Sequence, residues 1–122
     1  MSVLLNAISE RNKLDRVFAK ESKKISEIEG DEVKVLAFYP HTAIDSNTGE
    51  KKDNFVAETE DFYFYTPSSL TDAINDVIGE GEDRTKRLES LNAELASNPD
   101  VYIFERIKIK DGRTYIKTVA VG

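Results

Sequence analysis

The stretch YIFERIKIKDGRTYIKTVAVG, residues 102 to 122, interleaves rings with cations: Tyr102, Phe104, Arg106, Lys108, Tyr115 and Lys117. Rings offer faces on which bases stack and cations track phosphates, so the mixture is the chemistry of holding a single strand of nucleic acid. The charge is local. Residues 101 to 122 hold five Lys or Arg against two Asp or Glu, a balance of +3 in a chain of net charge −6, which leaves −9 elsewhere.

Asp111-Gly112 sits between two alternating runs, a strong hairpin signal because a type I′ turn needs positive φ at both central positions. That turn sets Lys110 opposite Arg113, Lys108 opposite Tyr115, Ile107 opposite Ile116 and Arg106 opposite Lys117. All six rings and cations then share one face, with Ile103, Ile107, Ile109, Ile116 and Ala120 on the other. Arg106 against Lys117 is a like-charge pair, destabilising unless an anion lies between them. A sheet with one wet face also carries charges there, and edge strands carry lysine against sticking. Three exposed aromatics are more than a wet face needs.

Two further places extend such a surface. In FYFYT, with Phe62 and Phe64 inward, Tyr63 and Tyr65 face outward and could hold two stacked bases; equally, they could cover the helix that follows. Lys51 and Lys52 are either phosphate contacts or a solvated hairpin tip.

Other chemistry is thin. His41, beside Pro40 in a polar segment, is the chain's one histidine, and there is no cysteine, so thiolate zinc sites, disulfides and cysteine nucleophiles are excluded. DSNTG at 45 to 49 begins like a calcium loop, but Gly49 falls at the fifth position and Val56 occupies the twelfth, where a bidentate Glu belongs. There is no Gly-rich phosphate loop. Acidic residues at Asp31, Glu32, Glu58, Glu60 and Asp61 could hold magnesium for nuclease chemistry, although turn acids arise easily among 23 Asp and Glu. No cofactor and no catalysis are expected.

The elements that must position these residues follow from periodicity. Residues 3 to 28 read as one amphipathic helix through Leu14, Val17, Phe18, Ile25 and Ile28, ended by Gly30, its other face basic and solvated. EVKVLAFY is a strand that Pro40 interrupts. Two strands follow at about residues 54 to 59 and 62 to 66. Thr66-Pro67-Ser68-Ser69 opens a helix, with Thr66 or Ser69 as N-cap and Asp72 placed for a capping box. A second helix spans about residues 83 to 97, and the hairpin closes the chain. The 122 residues make one domain: an N-terminal helical extension, 1 to 30, and a β-rich α+β body, 31 to 122. The order fits a five-stranded OB-like barrel with helices between its third and fourth strands.

Taken together, the polar loop with Thr48-Gly49, the run Phe64-Tyr65-Thr66-Pro67-Ser68-Ser69, the helix with Ala73 and the basic hairpin at Asp111-Gly112 resemble the small single-stranded DNA-binding proteins of bacteriophages and related mobile elements. The resemblance covers residues 32 to 120 in pattern. It implies an OB fold, binding with little sequence preference, and protection of single strands in replication or recombination. It points to Tyr63, Tyr65, Tyr102 and Tyr115 as stacking residues. The sequence departs from the family in ending at TVAVG, without the acidic tail through which many members recruit partners. It departs also in its long first helix, so homo-oligomer formation or a replication partner is expected there.

No run approaches the ~18 apolar residues of a membrane span, and no basic segment precedes the broken apolar start of a secretory signal. A cytoplasmic protein, in the host cytoplasm if phage-encoded, is expected. The leading reading is a non-catalytic protein that binds single-stranded DNA, or RNA. The alternative, favoured by the acidic net charge, is an adaptor or inhibitor that engages a host protein through its first helix or its acidic surface.

Overall fold

The structure, a computed structural model, describes residues 2 to 121. It is a mixed α+β chain of two sheets and flanking helices.

α1 (Val3–Phe18) is capped by Ser2, whose hydroxyl accepts from the Leu5 amide at 3.1 Å. The single helix expected over residues 3 to 28 breaks here. Glu21–Ser22 forms a short strand, β1, and helix resumes only as α2 (Ile25–Ile28) before Gly30, φ 78°, ends it. Local propensity loses to a better set of partners. The edge of the FYFY strand offers its backbone to Glu21 and Ser22 in a parallel pairing, and the Lys23 amide donates to the Tyr63 carbonyl at 3.0 Å. Val17 and Ile28, on either side of the bend, are both buried completely or nearly so, and Ile28 joins the main core cluster.

The strand expected at EVKVLAFY is two strands joined at Leu36: β2 (Val33–Val35) and β3 (Ala37–Ile44). Leu36 leaves the ladder of β2 while its amide donates to the Glu58 carbonyl at 2.8 Å. Pro40 does not interrupt β3. It sits in an edge strand, where its missing N–H costs nothing. The polar segment after it is therefore a long hairpin, β3 pairing with β4 (Lys51–Glu58) from Ala37↔Glu58 out to Ile44↔Lys51. β5 (Phe62–Tyr65) follows across a tight turn in which the Thr59 hydroxyl binds both backbone groups of Phe62.

α3 (Ser68–Ile78) starts from Pro67, not from Thr66 or Ser69, because those hydroxyls are used elsewhere. Thr66 Oγ1 accepts from the Phe55 amide, and Ser69 donates to the Ile116 carbonyl at 2.6 Å. The free carbonyls at the end of α3 are met by α4 (Arg84–Ser97): Arg84 donates to Gly79 O and Arg87 to Ile78 O and Glu80 O. Asn92 fastens α4 to β3 by pairing with both backbone groups of Phe38, each at 2.9 Å. β6 (Asp100–Lys108) and β7 (Thr114–Val121) form the closing hairpin.

One sheet runs β1-β5-β4-β3 and the other β2-β6-β7. Among the described residues they do not close into a barrel, so the coarse expectation of a mixed α+β chain holds and the barrel itself is not formed by the hydrogen-bonded ladders. The core lies between them. Phe38, Phe55 and Phe64 enter it from the first sheet, Val33, Val35 and Phe104 from the second, and Leu70, Ile74, Ile78, Leu88 and Leu95 from the helices. Phe64 and Phe104 meet edge to face with centroids 5.4 Å apart, which joins the two sheets. No helix among the described residues is long and apolar enough to cross a membrane.

Candidate nucleic-acid interface

The closing hairpin does not present the six expected residues together. Gly112 has φ 85°, whereas no non-glycine among the described residues has positive φ, so Asp111 cannot occupy the first central position of a type I′ turn. The Gly112 amide donates to Ile109 O at 3.0 Å, and the Ile109 amide to Arg113 O at 2.8 Å. This is a type I turn over residues 109 to 112 with Gly112 left-handed after it, the three-residue loop that carries a G1 bulge. Asp111 favours that loop. Its carboxylate accepts from the Arg113 amide at 3.2 Å and from Arg113 Nε at 2.6 Å, while left-handed backbone at a non-glycine is costly.

One residue of loop shifts every pair. Lys108 lies opposite Thr114, Ile107 opposite Tyr115, Arg106 opposite Ile116 and Glu105 opposite Lys117. Because side chains alternate, the slip sends Tyr115 and Lys117 to the face opposite Tyr102, Phe104, Arg106 and Lys108. Phe104 is fully buried in the core, and Tyr102 packs against the core while donating to Asp100 at 2.7 Å. Burial, and then the Asp100 carboxylate, raise the Tyr102 pKa. Arg106 meets no like charge. It is paired with Glu29, Nη2 to Oε1 at 2.5 Å. Lys108, Tyr115 and Lys117 remain exposed, but not as one surface with the others.

The outer face of the four-stranded sheet has the geometry that the hairpin lacks. The register Tyr39↔Val56↔Tyr65, Glu58↔Tyr63, His41↔Asn54 and Ala43↔Lys52 puts these residues on one side, with Phe38, Phe55, Ala57 and Phe64 on the core side. Tyr63 and Tyr65 therefore do point away from the core, as FYFYT predicts, and Lys52 joins their face while Lys51 alternates to the other.

Four rings touch in sequence across this face. His41 lies 4.6 Å from Tyr65 by centroids, Tyr65 lies 6.1 Å from Tyr63 at 90°, and Phe18 of α1 meets Tyr63 at 5.1 Å and 78°. Tyr65 and Phe18 are each 40% exposed and His41 and Tyr63 half-buried, so the row is partly open to solvent. Sequence reasoning missed His41 and Phe18. His41 belongs to β3, two residues beyond Tyr39 in the same alternation, a signal that taking Pro40 as a strand end conceals. Its Nδ1 lies 2.8 Å from Asn54 Oδ1, which fixes the ring against the sheet.

Below the row, Tyr39 donates to Glu58 Oε1 at 3.2 Å, and Lys20 donates to Glu58 Oε2 at 2.8 Å and to Thr59 O at 2.7 Å. Burial first, and the neighbouring Glu58 carboxylate second, push the Tyr39 pKa up to about 12, with Arg16 acting weakly the other way. Burial and then Tyr63 also raise that of Tyr65. Among the described residues no group of three or more His, Asp or Glu comes together to hold a metal ion.

No known family model, no curated protein and no solved structure matches this chain.

Proposed function

We propose that this chain is a non-catalytic binder of single-stranded nucleic acid, DNA or RNA, which it holds on the outer face of the β1-β5-β4-β3 sheet. The observation that carries the reading is the continuous row His41, Tyr65, Tyr63 and Phe18, drawn from three elements, with Lys52 on the same face. Stacking on such rings is tolerant of sequence, since every base has a π-face, and it needs no net positive chain. The strand order β5-β4-β3, continued through Leu36 into β2-β6-β7, is compatible with a five-stranded OB barrel left open between β5 and β7. In that fold the face of the second and third strands, here β4 and β5, takes oligonucleotides. Protection of single strands during phage or mobile-element replication is the role that fits the family resemblance. Anisotropy of a labelled dT oligonucleotide at low salt tests the reading: saturable binding at micromolar protein is expected, and no change in anisotropy at that concentration rejects it.

One observation favours the adaptor reading instead. Val3, Leu4, Leu5 and Ile8 stand exposed on the outer turns of α1, Val3 at 87%. A host protein that co-purifies through α1 after nuclease treatment, combined with no oligonucleotide binding, would select it.

A further inference from the structure

The outer face of the three-stranded sheet is apolar where a wet sheet face would be polar. Ile103 lies across from Val119 and Ile107 across from Tyr115, and between these two pairs Glu105 lies across from Lys117. Tyr115 is 43% exposed, and the two isoleucines and Val119 are only half-buried. The core is on the other side, where Phe104 and Ile116 pack. We propose that this face is a self-association surface, and that its occupant is the same face of a second copy of this chain.

Charge complementarity within the face itself selects this occupant. Two copies stacked face to face can be related by a two-fold axis in the plane between them. An axis perpendicular to the strands through the charged row places Glu105 on Glu105 and Lys117 on Lys117, which is repulsive. An axis parallel to the strands, midway between β6 and β7, places Glu105 of one copy on Lys117 of the other and the reverse. The same operation sets Ile103 over Val119 and Ile107 over Tyr115. Such an isologous contact closes on itself and stops at two. Size decides its strength. Under this axis β6 and β7 cover one another while β2, three residues long, falls outside the overlap; two strands at ~4.8 Å spacing and about 27 Å long give a patch on the order of 260 Å², against roughly 800 Å² per partner in a standard stable interface. The dimer is therefore weak. The Phe64–Phe104 contact joins the sheets by their inner faces, so the two outer faces point apart and a dimer leaves the aromatic row uncovered.

Sedimentation velocity over a concentration series, with nuclease-treated protein free of nucleic acid absorbance, is the experiment. The wild type should move from monomer to dimer and no further. Lys117→Glu makes the charged row wholly acidic and Glu105→Lys makes it wholly basic, so each alone should be at least tenfold weaker in self-association. An equimolar mixture of the two should recover a heterodimer, a result that loss of folding could not produce. A wild type that stays monomeric to about a millimolar overturns the proposal, as does a mixture of two folded variants that does not associate. Because the experiment contains no oligonucleotide, its failure leaves the nucleic-acid reading standing, and the reverse.

Discussion

Lys20 Nζ lies 2.8 Å from Glu58 Oε2, and this ion pair ties the turn after α1 to the end of β4, an inner strand of the four-stranded sheet. Glu58 is only 6% exposed, and its remaining donor is the Tyr39 hydroxyl. Removing the ammonium leaves a nearly buried carboxylate half satisfied, which is dearer than never having had the pair. Lys20→Ala is expected to cost about 1–3 kcal/mol, read as a lower urea midpoint with unchanged slope. Adding Glu58→Gln to that variant should return part of the loss, because the orphaned charge is gone. An unchanged midpoint for Lys20→Ala would mean that α1 is held by its other contacts, Val17 and Phe18 foremost.

Alkaline pH should loosen the fold. Tyr39 has its pKa pushed up to about 12 from an unfolded value near 10, and those of Tyr65 and Tyr102 are raised as well, burial being the first cause in each. Between those two pKa values the unfolded chain has released protons that the folded chain still holds. The unfolded state binds fewer protons, so stability falls as pH rises. The melting temperature is expected to be flat with respect to these groups below about pH 9.5 and to drop from about pH 10 to 12. Tyr39→Phe should flatten part of that slope. Absorbance at 295 nm, followed through the same range, should show a late phase of tyrosinate formation that coincides with unfolding.

Phe104 separates the two possible registers of the closing hairpin. In the shifted register it fills the core against Phe64, fully buried, and Phe104→Ala is expected to cost about 3–5 kcal/mol. Tyr115→Ala, on the opposite and exposed side, should stay within about 1 kcal/mol of the wild type. Chemical denaturation of both variants measures the contrast. Equal, small losses would restore the type I′ pairing, in which both rings lie outside.

The sequence carried the element types well where local signals were short and strong. FYFYT alternates as read, with Phe64 in and Tyr65 out, and Gly30, Gly79 and Gly112 all take the positive φ that ends or turns their elements. It failed where the choice depended on a partner elsewhere in the chain. Nothing near Glu21 announces that β5 will take it as a strand, and Pro40 looks like a stop until β3 is known to be an edge. The hairpin error has a different cause. Asp-Gly serves both a two-residue type I′ loop and a three-residue loop with the glycine left-handed, and the difference is about 1–2 kcal/mol of local backbone preference at Asp111. A one-residue slip then exchanges the faces, so a small local ambiguity moved the whole candidate site.

The aromatic row makes the most direct claim about function. If bases stack on Tyr65 and Tyr63, each substitution to alanine should remove about 1–3 kcal/mol of binding, a loss of roughly 5- to 150-fold in affinity for a dT oligonucleotide. Both hydroxyl-bearing rings point away from the core, and Tyr65 is 40% exposed, so neither change should disturb the fold by more than about 1 kcal/mol. Lys52 is the cation that the register puts on this face. Lys52→Gln is expected to reduce the slope of log affinity against log salt by about 0.7, the share of one phosphate on a single strand. Lys51→Gln, alternating to the other side, should leave the slope unchanged. Tyr115→Ala and Lys117→Gln provide the counter-test on the hairpin. Full affinity in those two variants with a loss at Tyr65 places the strand on β4 and β5, whereas the opposite pattern would return it to the hairpin and reject the face proposed for it.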